Sequence, residues 1–257
     1  MQAMGEIFGK GFMKNSFAET CEKGKEVLFG IFFPRRCPLC DSVIAYGNDL
    51  CPICVKKVPY IKEPACKKCG KQLENERQEY CSDCKRKRHH YVQGKAVFSY
   101  KKEMKLSMYR FKYSNRREYA QFYAKEATRR YGDCLIRRGI EIIIPVPMYA
   151  GKRRVRGYNQ AEVFAKSLGK ETGIPVETGL VLRVKNTTPQ KELNDKQRKD
   201  NLKGAFQVKA NIVKYSKILL VDDIYTTGTT IDAIAEVLEK AGVAEIYFMS
   251  ICIGEGY

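Results

Sequence analysis

The chain has 257 residues, enough for one large domain or for an ordinary domain with a small one attached. Hydrophobic residues make up 44%, which excludes a disordered chain, and no apolar run approaches the roughly 18 residues of a membrane span. Lys and Arg number 47 against 29 Asp and Glu, and the excess is concentrated: residues 85–156 carry 21 basic residues against five acids, a density that suits nucleic acid or phosphorylated ligands.

Residues 1–36 place apolar side chains at helical spacing, broken by Gly and Lys, and lack the apolar core and cleavage site of a secretory leader. The pattern predicts an amphipathic helix. Residues 37–90 follow with eight of the 11 cysteines in four CxxC pairs: Cys37/Cys40, Cys51/Cys54, Cys66/Cys69 and Cys81/Cys84. Two residues between thiols let both sulfurs reach one metal from a tight turn, and four pairs make two four-cysteine sites. Even spacing of this kind resembles zinc ribbons more than iron–sulfur runs or a secreted disulfide framework. Reduced, metal-bound thiols imply a cytoplasmic protein. Four thiolates fill a zinc, so the sites are structural, and so short a module relies on its metals to fold. Sequential pairing is expected, but spacing leaves a crossed arrangement open. His89 and His90, within KRKRHH, read as part of the basic surface.

Residues 91–257 have α/β character. Apolar strands are predicted at YVQGKAVFSY, EIIIPVPM, KILLVDDI and EIYFMSICI, with helices between them at NQAEVFAKSLGKETG and TIDAIAEVLEKAG. Near-continuous apolar strands alternating with helices imply a parallel sheet covered on both faces. The stretch YKKEMKLSMYRFKYSNRREYAQFYAKEATRR interleaves Tyr and Phe with basic residues, a combination that holds single strands through charge and stacking. Lys101, Lys102, Lys105, Arg110, Lys112, Arg116 and Arg117 are the candidates, against the alternative that Tyr109, Phe111, Phe122 and Tyr123 are core. Residues 183–204 are polar and poor in strand formers, a long excursion of the kind that forms lids.

The strongest chemical signal is KILLVDDIYTTGTTIDAIAEVLEKAG. The strand Ile218–Val221 ends in Asp222 and Asp223, and a Thr/Gly loop then opens a helix. Ligands of parallel sheets bind outside the carboxyl ends of strands, and a helix start offers free N–H groups to an anion. Thr226, Thr227, Thr229 and Thr230 add hydroxyls, and Gly228 lets the backbone approach a phosphate. Two carboxylates accept hydrogen bonds from a vicinal diol and can hold Mg²⁺ through water. No GxxxxGK[ST] occurs, so this is not a Walker loop.

The two acids and the loop after them resemble the type I phosphoribosyltransferase signature. The resemblance implies that Asp222 and Asp223 bind the ribose hydroxyls of phosphoribosyl pyrophosphate (PRPP) and that Thr226–Thr230 cradle its 5′-phosphate. Pro145-Val146-Pro147 ends a strand, and by the same resemblance the loop beyond it, with Lys152, Arg153, Arg154 and Arg156, contacts pyrophosphate. Lys185 and Arg198, in the excursion, are candidates for the leaving group, with Gln190 and Asn201 fixing the loop. Tyr225 is a departure within the loop that would narrow the acceptor side.

Four CxxC pairs, then PVP, then KRRVRGYNQAEVFA, then Thr187, Gln190, Leu193, Arg198 and Asn201 in order look like the ComF (ComFC) competence family, from about residue 33 onward. This resemblance implies a double zinc ribbon on a phosphoribosyltransferase-like domain, a part in DNA uptake beside a helicase-like partner, and single-stranded DNA binding. Three readings follow: an enzyme moving phosphoribosyl to an acceptor, a DNA-binding accessory with a regulatory or vestigial pocket, and a PRPP-sensing regulator.

Overall fold

A computed structural model of the chain describes residues 34–187 and 195–254, without the side chains of residues 195, 196, 198, 199 and 211. The helix expected over residues 1–36 falls almost wholly outside the described residues, as do Gln190 and Leu193. The chain divides into two compact units, one up to Lys56 and one from Lys57 onward.

In the first unit a knuckle turns through Cys37, with Asp41 N–H donating to Cys37 O, and α1 (Pro52–Val55) carries Cys54. The second unit opens with a repeat of this device. Gly70 N–H donates to Cys66 O, and α2 (Ser82–Arg86) carries Cys84. Asp41 at φ 67° and Gly70 at φ 76° occupy the same left-handed position, one residue past the second cysteine of each leading pair. Asn, Asp and Gly are the residues that tolerate it.

The sheet of the second unit has the order β1 (Gln93–Ser99), β6 (Glu245–Ile253), β5 (Lys217–Tyr225), β2 (Ile142–Pro145), with all neighbours parallel. These are the four strands expected from the apolar runs. Both edges are dressed. Residues 59–61 run beside β1, where Ser99 N–H donates to Pro59 O and Ile61 N–H to Val97 O. Residues 175–177 run beside β2, where Ile143 N–H donates to Pro175 O. An uncovered edge would present unpaired donors and acceptors to any passing chain.

Helix α3 (Lys102–Tyr113) and helix α4 (Tyr119–Arg137) follow β1, and the short α5 (Ala150–Arg156) and α6 (Gln160–Thr172) follow β2. Helix α6 lies on β2 and β5 and also packs against α4. Asn159 caps α6: its Oδ1 accepts from Ala161 N–H at 3.2 Å, while its Nδ2 donates to Val146 O at 2.9 Å. That pair of bonds ties the helix start to the end of β2. Phe111, Phe122 and Tyr123 are core, whereas Tyr109 is 60% exposed.

The excursion is framed by a feature the sequence did not suggest. β3 (Val181–Arg183) pairs antiparallel with β4 (Phe206–Val208), and α7 (Asp195–Leu202) lies between them. Helix α8 (Thr229–Lys240) links β5 to β6 and buries Ile231, Ile234 and Leu238 against Ile218, Leu220, Ile246 and Phe248. Cys66, Cys69 and Cys81 belong to that same core cluster. Among the described residues no helix is long and apolar enough to cross a membrane.

Candidate ribose-phosphate and metal sites

The eight paired cysteines gather sequentially, as Cys37, Cys40, Cys51, Cys54 and as Cys66, Cys69, Cys81, Cys84, each set with sulfurs within 4.8 Å of one another. Cys40 and Cys51 lie 3.7 Å apart, as do Cys69 and Cys81. A zinc with Zn–S bonds of about 2.3 Å has a tetrahedral S···S edge of about 3.8 Å. The residues therefore fit structural zinc, and the crossed pairing is excluded. Zinc bound here supplies folding energy, with no position left open for chemistry.

Asp222 and Asp223 lie near the carboxyl end of β5, and Asp223 N–H donates to Asp222 Oδ1 at 2.8 Å. The chain then turns through the Thr/Gly loop. Gly228 stands at the start of α8 with φ +79°. The Thr227 and Thr229 hydroxyls share a 2.9 Å hydrogen bond. A Cβ on Gly228 would lie 2.4 Å from the Tyr225 hydroxyl. Strain and clash add, so Gly228→Ala should cost about 2–4 kcal/mol, read as a lower midpoint in chemical denaturation. Tyr225 does not narrow an acceptor pocket. It is buried, with its ring stacked on Phe248 at 4.5 Å.

Two basic residues attend the acids, and neither was assigned this place from sequence. Lys112, at the end of α3, sets its Nζ 2.8 Å from Asp223 Oδ2, with the side chains only 19% and 17% exposed. It was a candidate for DNA, and the structure gives it to the acid pair instead. Burial alone would lower the Lys112 pKa, but Asp223 and then Asp222 outweigh it and raise it. Arg183 of β3 is the second. Burial lowers its pKa, against the opposing charge of Asp222. Burial, together with the neighbouring charge of Asp223, pushes the Asp222 carboxyl up to about 7. Lys112→Met should destabilise by roughly 2–3 kcal/mol by leaving Asp223 unpaired, and adding Asp223→Asn should restore most of the loss. Thermal melts of the single and double variants measure both effects.

Lys112 also lines a cleft of about 720 Å³. Its other walls include Tyr113, Arg117, Lys152, Arg154 and Arg156. Lys152 Nζ donates to Thr187 O at 3.1 Å, tying α5 to the excursion. Arg156 donates to Gln160 Oε1 at 2.8 Å and lies over the Tyr113 ring at 4.9 Å. Arg153 is not among the lining residues. Its guanidinium pairs with Glu162 of α6 at 3.1 Å, because successive positions on a helix face different ways. Lys185 is exposed, and its Nζ donates to Lys203 O at 3.0 Å. The side chain of Arg198 lies outside the described residues.

His89 is not part of the basic surface. It is buried, and its Nδ1 lies 2.7 Å from Asp232 Oδ2 in the first turn of α8.

Sequential cysteine quartets, and a parallel sheet delivering two acids to a Gly-turned helix start, define a double zinc ribbon protein with a type I phosphoribosyltransferase-like domain. Residues 28–85 match the double zinc ribbon domain family, and residues 156–255 match the phosphoribosyl transferase domain family. The chain is 33% identical over 226 residues to Competence protein F of Haemophilus influenzae, covering 84% of this chain and 95% of that protein. It is 26% identical over 223 residues to DNA utilization protein YhgH of Salmonella typhimurium, covering 85% and 97%. It is 27% identical over 222 residues to Competence protein ComFC of Streptococcus pneumoniae, covering 82% and 92%. The chain belongs to the ComF competence protein family.

Proposed function

We propose that this chain binds PRPP with Mg²⁺ at the β5–α8 corner and holds single-stranded DNA beside it, as a cytoplasmic protein of DNA uptake. One observation carries the reading: two acids at the end of β5 precede a helix start whose glycine is fixed by φ and by contact, and Lys112 joins Asp223 to the basic cleft, which neither acid lines. Asp222 and Asp223 accept hydrogen bonds from the ribose 2- and 3-hydroxyls. The N–H groups of residues 227–230 and the Thr hydroxyls take the 5′-phosphate. Lys152, Arg154 and Arg156 face the pyrophosphate through charge-assisted bonds. Bound Mg²⁺ supplies charge neutralisation of the pyrophosphate.

Transfer, under this reading, is displacement at the anomeric carbon. A bond forms from the acceptor to C1, the C1–O bond to pyrophosphate breaks, and pyrophosphate leaves with the electron pair. Positive charge develops on the ribose ring, and the two carboxylates favour it. A regulator that binds PRPP without turnover shares every one of these contacts. Incubation of PRPP and Mg²⁺ with a panel of candidate acceptors, single-stranded DNA among them, separates the two, since only an enzyme releases pyrophosphate. The binding claim itself rests on a melting-temperature rise with PRPP and Mg²⁺, and no rise at millimolar PRPP sinks it.

The DNA surface follows from the outer face of α3. Tyr109 and Tyr113 are 60% and 59% exposed, 5.1 Å apart, with Lys105 and Arg110 on the same helix. Such faces stack bases while the cations track the backbone. Tyr109→Ala with Tyr113→Ala should weaken single-stranded DNA binding at least about tenfold, and wild-type affinity should fall steeply with salt. Fluorescence anisotropy across a salt series reads both. Affinity insensitive to ionic strength rules this surface out. A helicase-like partner is consistent with the family, and the basic surface is where displaced strand would pass.

A further inference from the structure

We propose that the second cysteine quartet is a positioning device for the phosphate loop, acting through His89 and Tyr91, so that metal held by Cys66, Cys69, Cys81 and Cys84 sets affinity for a sugar 5′-phosphate. The inference rests on the reading of that loop as a phosphate site.

The loop is fastened at both ends to His89, His90 and Tyr91, which lie beyond the helix that carries Cys84. At its exit, Asp232 Oδ2 accepts from His89 Nδ1–H at 2.7 Å, and Asp232 Oδ1 accepts from His90 N–H at 3.2 Å. Asp232 N–H in turn donates to Gly228 O at 2.8 Å. At its entry, the Tyr225 hydroxyl shares a 2.7 Å hydrogen bond with the Tyr91 hydroxyl and rests against Gly228. His89 and Tyr91 are themselves one stack, with ring centroids 4.8 Å apart and planes at 25°.

The same stack reaches the metal site. His89 Nε2 lies 3.5 Å from Cys84 Sγ. Lys68, between the two cysteines of the third pair, lies over the Tyr91 ring at 5.2 Å. Four sulfurs already complete the quartet, so His89 stands outside it and orients what surrounds it. The outcome is a short rigid path: thiolate, imidazole, carboxylate, helix start.

This path has a chemical purpose. A loop that reads phosphate through backbone N–H groups loses affinity when its donors are placed an ångström too loosely. Asp232 is also an acid in the turn that receives an anion. His89 and His90 hold its carboxylate on the ribbon side, which leaves the open N–H groups to the phosphate. Loss of the metal frees the Cys81–Cys84 turn, and with it the residues that restrain both ends of the loop.

The test uses the full chain and three readouts: zinc content, affinity for PRPP and ribose 5-phosphate by calorimetry, and amide exchange over residues 226–232. His89→Ala should keep the wild-type zinc content, weaken both ligands about tenfold or more, and speed exchange in the loop. Asp232→Ala should match it, and the double variant should be no worse than either single. Tyr91→Phe, which removes one hydroxyl and keeps the ring, should weaken both ligands about threefold. Should His89→Ala lose its zinc, Tyr91→Phe decides the matter. Wild-type affinity and exchange in a zinc-replete variant overturn the coupling. If the wild type binds neither ligand, the PRPP reading fails instead, and ligand-free exchange in the variants still tests the coupling.

Discussion

Replacing both carboxylates, Asp222→Asn with Asp223→Asn, should abolish the stabilisation expected from PRPP and Mg²⁺ under the proposed function. Ligand at a hundred times its dissociation constant adds about 2.7 kcal/mol, a melting shift of roughly 5–10 °C for a unit of this size. Each carboxylate accepts hydrogen bonds with charge assistance, about 1.5–3 kcal/mol apiece. Removing both charges therefore costs at least about a hundredfold in affinity, and the shift disappears. A variant that still shifts with PRPP would place the sugar elsewhere.

The acids make a second statement about pH. Burial and Asp223 raise the Asp222 carboxyl from its ordinary value to about 7. The folded protein therefore keeps a proton that the unfolded chain has released above about pH 4. The stability linked to that proton is full below pH 4 and is lost as pH rises through 7. Asp222→Asn removes this loss, so it should melt higher than wild type at pH 8 and equal to it at pH 4. PRPP affinity of the wild type should run the other way and weaken below pH 7, because a neutral acid is the poorer diol acceptor.

The other large effect is metal removal. Apparent zinc binding in small four-ligand modules is worth about 10–16 kcal/mol, comparable to the whole stability of an ordinary domain. The second quartet is not an appendage, since Cys66, Cys69 and Cys81 share one core with Phe248 and Tyr225. Chelation should therefore lower the melting temperature by more than about 15 °C, and Cys69→Ser should do much the same. Near-ultraviolet circular dichroism of the buried tyrosines follows the change. A folded, unshifted protein in excess chelator would mean that the thiols hold the ribbon without metal.

Much of this architecture is legible in the amino-acid sequence. The four sheet strands announced themselves because a doubly covered parallel strand is apolar throughout, as β6 is. The α8 stripe, the quartets and the acid pair were equally local. What stayed hidden depends on distant partners. β3 and β4 have three residues each and exist only by pairing across an excursion. Lys112 looked like one more cation in a basic run, and nothing nearby in sequence marks it as the neighbour of Asp223. His89 was lost for the opposite reason: four flanking basic residues suggested solvent, while its partner lies 143 positions away. Arg183 carried no signal beyond standing at the edge of a polar stretch.

The strip at residues 59–61 has a practical corollary. It occupies the flank of β1 that would otherwise be sticky, so the ribbon guards the domain against self-association as well as gripping zinc. A fragment beginning at residue 91 would bare a seven-residue strand and precipitate or form fibrils. Truncation and domain-swapping studies should therefore cut ahead of Lys57, since the phosphoribosyltransferase-like portion is not portable without its second knuckle.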